Sequence, residues 1–185
     1  MTTAAILLAA GHSRRFGPDE KLLAPYDGNP VIAYAADAAT TLAPDHLIAV
    51  VRSDQVARHL SGFTIVAPAA ETNTQSDSLR AGLAEAMRLG ADRVLIILGD
   101  MPGVTPALMR NVLARASPST PSAAYDGANI LPPVCFPRPW YGRIAGLAGD
   151  RGAGMLLRDL PQSQLVLADP ALLQDVDTPG DLAAR

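Results

Sequence analysis

The sequence predicts an α/β fold in three layers, a mostly parallel sheet with helices on both faces. Three observations lead there. Apolar runs at 4–9, 46–51 and 93–98 lack the polar alternation of half-exposed strands, as strands buried on both faces do. Helix-like segments separate those runs, the order that gives parallel crossovers. The chain has 185 residues, 49% hydrophobic and 18% charged, which allows a core without disulfide staples. Aromatics are only 4%, so that core rests on Ala, Leu, Val and Ile.

The elements follow in order. Residues 4–9 are the first strand. A helix is expected over 30–41, with Asn29 as its cap and Pro30 in first position. Strands follow at 46–51 and 63–67. Residues 76–90 carry Leu79, Leu83, Ala86 and Met87 as a helical stripe ending on Gly90. The run 93–98 is the strongest strand, and 105–116 a helix capped by Thr105. Beyond Ser117 the chain is rich in Pro and Ser. Short strands are expected at 123–126, 134–136, 165–167 and 174–176, and helices at 140–148, 152–160 and 179–185.

Composition excludes several classes. The net charge is −3 with no basic run, which argues against nucleic acid and anionic membrane as partners. No apolar run approaches the roughly 20 residues of a membrane span. Residues 4–10 lack preceding basic residues, so they read as a strand and not as a leader. Cys135 is the only cysteine, so neither an intramolecular disulfide nor a multi-cysteine metal site can form. A reducing, cytoplasmic setting fits. Cys135 itself reads as buried and inert, and His46 and His59 as ordinary surface or boundary residues.

In open α/β sheets ligands bind outside the carboxyl ends of the strands, so the loops after strands carry the argument. The first reads Leu8-Ala9-Ala10-Gly11-His12-Ser13-Arg14-Arg15-Phe16-Gly17, then Lys21. Small residues admit a ligand to the backbone, whose N–H groups can form an anion nest. Ser13, Arg14, Arg15 and Lys21 add a hydroxyl and positive charge suited to a polyphosphate. Of the 15 basic residues only Lys21 is a lysine. Alternatively the glycines are plain turns and the arginines a solvated face. Asp100 in Gly99-Asp100-Met101-Pro102 suits a hard cation or caps a turn. In Asp175-Val176-Asp177-Thr178-Pro179 two carboxylates at period two share a face. There Asp177 either joins Asp100 on one metal or, like Thr178, caps the following helix. Ser76 and Ser78 open a helix as anion ligands or as caps. The glycines of 149–154 mark a turn.

These motifs, in consistent order from about Ala5 to Leu182, resemble those of the molybdopterin nucleotidyltransferases, especially the molybdenum cofactor cytidylyltransferase branch of the MobA-like NTP transferases. The resemblance implies a Rossmann-like nucleotide-binding half within a glycosyltransferase-A-like fold. It implies one domain over 1–185, with 1–116 on the nucleotide side and 117–185 on the acceptor side. It implies transfer of a nucleoside monophosphate from an NTP, CTP favoured, to a phosphorylated acceptor such as molybdopterin, releasing pyrophosphate with Mg2+. A molybdoenzyme is an implied further partner. Leu8, Ala9, Ala10, Gly11, Ser13 and Ser78 would contact nucleotide. Arg15 and Lys21 would hold the triphosphate and, with Asp100, carry catalysis. Asp100 and Asp177 would bind metal, and Gly149, Asp150 and Gly152 would lie near the acceptor.

Guanylyltransferase relatives tend to carry Gly where this chain has Ala10. Two departures stand out. No Gly precedes Ser78 in Asn73-Thr74-Gln75-Ser76-Asp77, and Asn129-Ile130-Leu131-Pro132-Pro133-Val134 lacks the Gly and polar residue expected before its Pro. Alternatives are a GTP-using or sugar- or alditol-phosphate enzyme of the same fold, and a non-catalytic maturation factor for a molybdoenzyme.

Overall fold

The computed structural model describes residues 1–11, 16, 20–68, 74–149 and 153–182. The run predicted to be fully buried forms the central strand β1 (Thr3–Ala9). A short hairpin, β2 (Pro25–Tyr26) and β3 (Asn29–Pro30), leads into α1 (Val31–Leu42). Then come β4 (His46–Val51), α2 (Asp54–Ala57), β5 (Thr64–Val66), α3 (Gln75–Arg88), β6 (Arg93–Leu98) and α4 (Pro106–Arg115). The last third holds β7 (Ser122–Tyr125), β8 (Ile130–Pro137), α5 (Tyr141–Ala145) and β9 (Leu165–Leu167), with short 3-10 turns between them.

Seven strands form one sheet in the order β5-β4-β1-β6-β8-β7-β9. β1 pairs in parallel with β4 and β6, so Ile6 lies between Ile48 and Ile96. Only β8 runs against its neighbours, antiparallel to both β6 and β7. Alternation along β1 serves both helical layers. Ala5, Leu7 and Ala9 join the core with Ile32 and Ala35 of α1 and Leu108 and Met109 of α4. Ala4 and Ile6 face Leu79 and Leu83 of α3 and Ile144 of α5. This double burial is why the strand is apolar throughout.

The order matters for function. From β1 the chain winds one way through β4 to β5, then crosses back along α3 to β6 on the other side of β1. The carboxyl ends of β1 and β6 therefore flank a topological switch point, where such sheets bind ligands. Leu8 pairs with Leu98 there, and Gly99 N donates to Leu8 O at 2.9 Å.

Several expectations change. Asn29 is not a helix cap: it pairs with Tyr26 across a turn in which Asp27 and Gly28 both have positive φ, and α1 starts at Val31. Met87 is 51% exposed, and Gly82 replaces it on the buried face of α3. The strand expected at 134–136 extends to eight residues. The helix expected at 140–148 reduces to a 3-10 turn and five-residue α5, consistent with the weak helix propensity of Gly142 and Gly146. Residues 153–157 and 179–182 are 3-10 turns, and 174–176 form no strand. Helix α2, capped by Ser53, is an addition. No helix of the described residues is long and apolar enough to cross a membrane.

At Gly82, α3 lies against the sheet. A Cβ there would sit 2.5 Å from Ile6 Cγ2 and 2.9 Å from Val50 Cγ2. Both side chains are fully buried and stiff at χ1. Gly82→Ala gains about 1 kcal/mol of helix propensity but incurs overpacking of about 1–3 kcal/mol. A net loss of stability of about 1 kcal/mol is expected in urea unfolding; a net gain would show that α3 can lift from the sheet.

Candidate active site

Ala9 and Ala10 leave β1 buried, and Gly11 emerges with open space where a Cβ would stand. Arg52, just past β4, donates Nε to the Ala10 carbonyl at 3.1 Å and braces this turn. Ser13 and Arg15, predicted to contact nucleotide, lie outside the described residues, as does Arg14. The chain returns through the 3-10 turn Lys21–Leu23, where buried Leu22 anchors the backbone and leaves Lys21 facing the switch point.

Lys21 Nζ lies 2.8 Å from Asp100 Oδ2 and 3.3 Å from Asp177 Oδ1. Its side chain is only 12% exposed, so the contact is screened less than a surface pair. Desolvation opposes the ammonium, but the charges and hydrogen bonds of Asp100 and Asp177 outweigh it and raise the Lys21 pKa. The amine stays protonated.

Asp100 follows Gly99, where the backbone packs closely against α1 and β1. A Cβ at Gly99 would meet Ile32 Cδ1 at 2.6 Å and Ala9 Cβ at 3.3 Å. The distant segment 175–177 is tied to this point by a backbone bond, Val176 N to Asp100 O at 2.8 Å. Val176 is buried, and the carboxylates on either side of it reach the same place. Asp181 fixes the far end by accepting from Asp177 N, Thr178 N and Thr178 Oγ1 at 3.0, 2.7 and 2.9 Å. Those bonds, led by the Thr178 N–H, hold the Asp181 pKa below its usual range.

One carboxylate oxygen each from Asp100, Asp175 and Asp177 lies within 4.8 Å of the others. At an effective dielectric of about 20, two charges at 4.8 Å repel by about 3 kcal/mol before solvent screening. Such a cluster calls for a cation, and Lys21 supplies one charge. Asp175 has much of its surface in solvent, but its carboxyl end is desolvated over the cluster. That desolvation, then the charges of Asp177 and Asp100, raises its pKa. Oxygen donors of this kind fit a hard divalent cation such as Mg2+ or Mn2+.

A second group assembles at the start of α3. Thr74, not Ser76, is the cap: its Oγ1 accepts from Asp77 N, while the Asp77 carboxylate accepts from Thr74 N. Ser76 is buried, with its hydroxyl 3.0 Å from Thr74 Oγ1. Arg80 pairs with Asp77 and donates to Leu147 O, and Ser76 N donates to Gly149 O at 3.4 Å. The start of α3 and the turn ending at Gly149 are thus one unit, with Ser78 buried in its first turn. Asp150 and Gly152 lie outside the described residues.

The structure therefore joins Lys21, Asp100 and Asp177, and separately links the α3 start to Gly149. The sequence reading missed Asp175 as a cluster member, although the period-two spacing contained the signal. Arg52 and Arg80 left none beyond their places near a strand end and a helix start. Cys135 is buried, which pushes its thiol up to about 12 and keeps it unreactive.

Residues 5–165 match the MobA-like NTP transferase domain. The chain is 29% identical to the purine catabolism protein PucB of Bacillus subtilis, over 94% of this chain and 91% of that protein. It is 30% identical to the phosphoenolpyruvate guanylyltransferase of Sphaerobacter thermophilus, over 98% and 91%. It spans about a third of the bifunctional GlmU proteins it also matches, 31% of that from Rhodospirillum rubrum. Among solved structures, Rv0371c of Mycobacterium tuberculosis superposes with a TM-score of 0.84 at 28% identity, over 99% of this chain and 97% of that one. A manganese complex of Rv0371C gives 0.81 at 26% identity, over 99% and 97%.

Asp175→Asn removes one of three converging charges. Mn2+ affinity, read by calorimetry, is expected to fall roughly tenfold with an unchanged circular dichroism spectrum. Unchanged affinity would place Asp175 outside the metal site.

Proposed function

Because the chain belongs to the MobA-like NTP transferase family, we propose that it moves a nucleoside monophosphate from CTP to a phosphorylated acceptor of the molybdopterin type, releasing pyrophosphate. The observation that carries this reading is Lys21 held between Asp100 and Asp177 at the β1/β6 switch point. Residues 1–116 supply the nucleotide side and 117–185 the acceptor side of one catalytic unit.

An oxygen of the acceptor phosphate attacks the α-phosphorus, the bond from that phosphorus to the β-phosphate bridging oxygen breaks, and pyrophosphate leaves. The acceptor oxygen is already anionic at neutral pH, so no general base is required. What remains is positioning and charge neutralisation. Gly11 leaves room for a phosphate to approach the backbone. Lys21 carries a fixed positive charge to the phosphates. Asp100, Asp177 and Asp175 would hold Mg2+ or Mn2+, which when bound offsets charge on the phosphate oxygens. Ser78 and the turn at Gly149 serve the other side of the nucleotide and the acceptor.

The choice of CTP rests on Ala10. Guanylyltransferase relatives tend to carry Gly at this position, and here the Ala10 methyl is buried on the α3 side of the sheet. The phosphoenolpyruvate guanylyltransferase relative favours a second reading, with GTP and a different acceptor.

Calorimetric titration with CTP, GTP, ATP and UTP, each with Mg2+, tests the reading. CTP is expected to bind most tightly, and Asp100→Ala to lower turnover at least about a hundredfold. Preference for GTP would overturn the assignment of the base. Binding by none of the four, or full turnover by Asp100→Ala, would overturn the proposed activity.

A further inference from the structure

A cavity of about 400 Å3 lies at the amino ends of the parallel strands, the opposite end of the sheet from Asp100. Thr3 opens β1, Arg93 opens β6 and Asp45 directly precedes β4, and all three line it. Helix α4 contributes Arg110, Leu113 and Ala114, which share one helical face. The volume is that of a small-molecule site.

Two guanidiniums line this space without a counter-ion among the described residues. Arg93 is half-buried. Its Nε donates to Thr3 Oγ1 at 2.8 Å and its Nη1 to Leu113 O at 3.1 Å. Both partners are neutral, and the Leu113 carbonyl, in the last turn of α4, returns only a partial charge. Nη2 has no partner among the described residues, where no enclosed side-chain nitrogen is left without one, so it reaches open space. Arg110 is exposed and makes no hydrogen bond or ion pair among the described residues. Asp45 accepts from Thr3 N at 2.7 Å through Oδ2 and pairs with neither guanidinium. The charged side chains of the lining are therefore two cations and one anion. A guanidinium fork matches the oxygens of phosphate and carboxylate, and such a group would supply the charge that Arg93 lacks.

We infer that this cavity is a second binding site, separate from the carboxylate cluster, for a small organic oxyanion. Arg93 Nη2 and Arg110 take the phosphate or carboxylate group, and the ligand's apolar body lies on Leu42, Leu113 and Ala114. A phosphate monoester offers more oxygens to two forks than a carboxylate does, so it is the better ligand. The site does not depend on the nucleotidyltransferase reading.

The test is an amide NMR titration of the full chain with phenyl phosphate, benzoate and the neutral benzyl alcohol. The signals of Thr3, Ala43, Leu113 and Ala114 are expected to move with the anions and not with the alcohol. Arg110→Gln gives up no bond of the folded chain, so the spectrum should stay folded while anion affinity falls at least about tenfold. Lys21→Ala, at the other end of the sheet, should leave these shifts unchanged, which separates them from any phosphate bound at the carboxylate cluster. Tighter binding of benzoate than of phenyl phosphate would assign the site to carboxylates and still support an oxyanion site. Equal shifts with benzyl alcohol, anion shifts confined to the surroundings of Lys21, or unchanged affinity in Arg110→Gln overturns the inference. No step of the readout involves nucleotide, so failure of the proposed activity would not move it.

Discussion

Three carboxylates from two distant parts of the chain converge on one point, and that convergence requires positive charge. Asp100 and the pair Asp175 and Asp177 are separated by 75 and 77 positions along the chain, yet their oxygens lie within 4.8 Å of one another. Lys21 supplies compensating charge. Its carbon stem is buried and its ammonium faces two of the three acids. The rest of the architecture can be understood from this demand. The sheet order places the ends of β1 and β6 side by side, the Lys21 turn returns the chain to that edge, and the Val176–Asp100 backbone bond draws the C-terminal segment onto it.

The same groups suit a triphosphate–metal complex. Lys21 lies within reach of both Asp100 and Asp177, so its ammonium and the carboxylates serve one point. No covalent intermediate is needed, and the buried, unreactive Cys135 offers none. Catalysis by placement, as proposed, would ask for rigidity near the reacting atoms. Gly99 packed against Ala9 and Ile32, and Arg52 braced on the Ala10 carbonyl, provide it.

Much of the fold was legible in the sequence because its strongest signals come from burial. The runs that became β4 and β6 ended where the apolar pattern ended, and Thr105 and Pro106 marked the start of α4 through cap chemistry. Local signals failed where tertiary contacts decided. Asn29 resembled a cap but was taken by the hairpin with Tyr26. Residues 174–176 had strand-like content but dock through one backbone bond and not along a strand edge. Lys21 and Asp100, singled out in loops after strands, and Asp177, singled out by its period-two spacing from Asp175, come together in the structure. Asp175 was half visible in its spacing from Asp177, whereas the Arg80 tie to Leu147 joins residues 67 apart and left no trace in either local segment.

On the proposed reading, Lys21 and the three carboxylates form one nucleotide–metal centre at the β1/β6 switch point. Anomalous diffraction from crystals grown with Mn2+ and α,β-methylene CTP tests it most directly. A manganese peak is expected within bonding distance of Asp100 and Asp177, with the triphosphate between Gly11 and Lys21. A peak elsewhere, or the nucleotide bound away from the ends of β1 and β6, would contradict it.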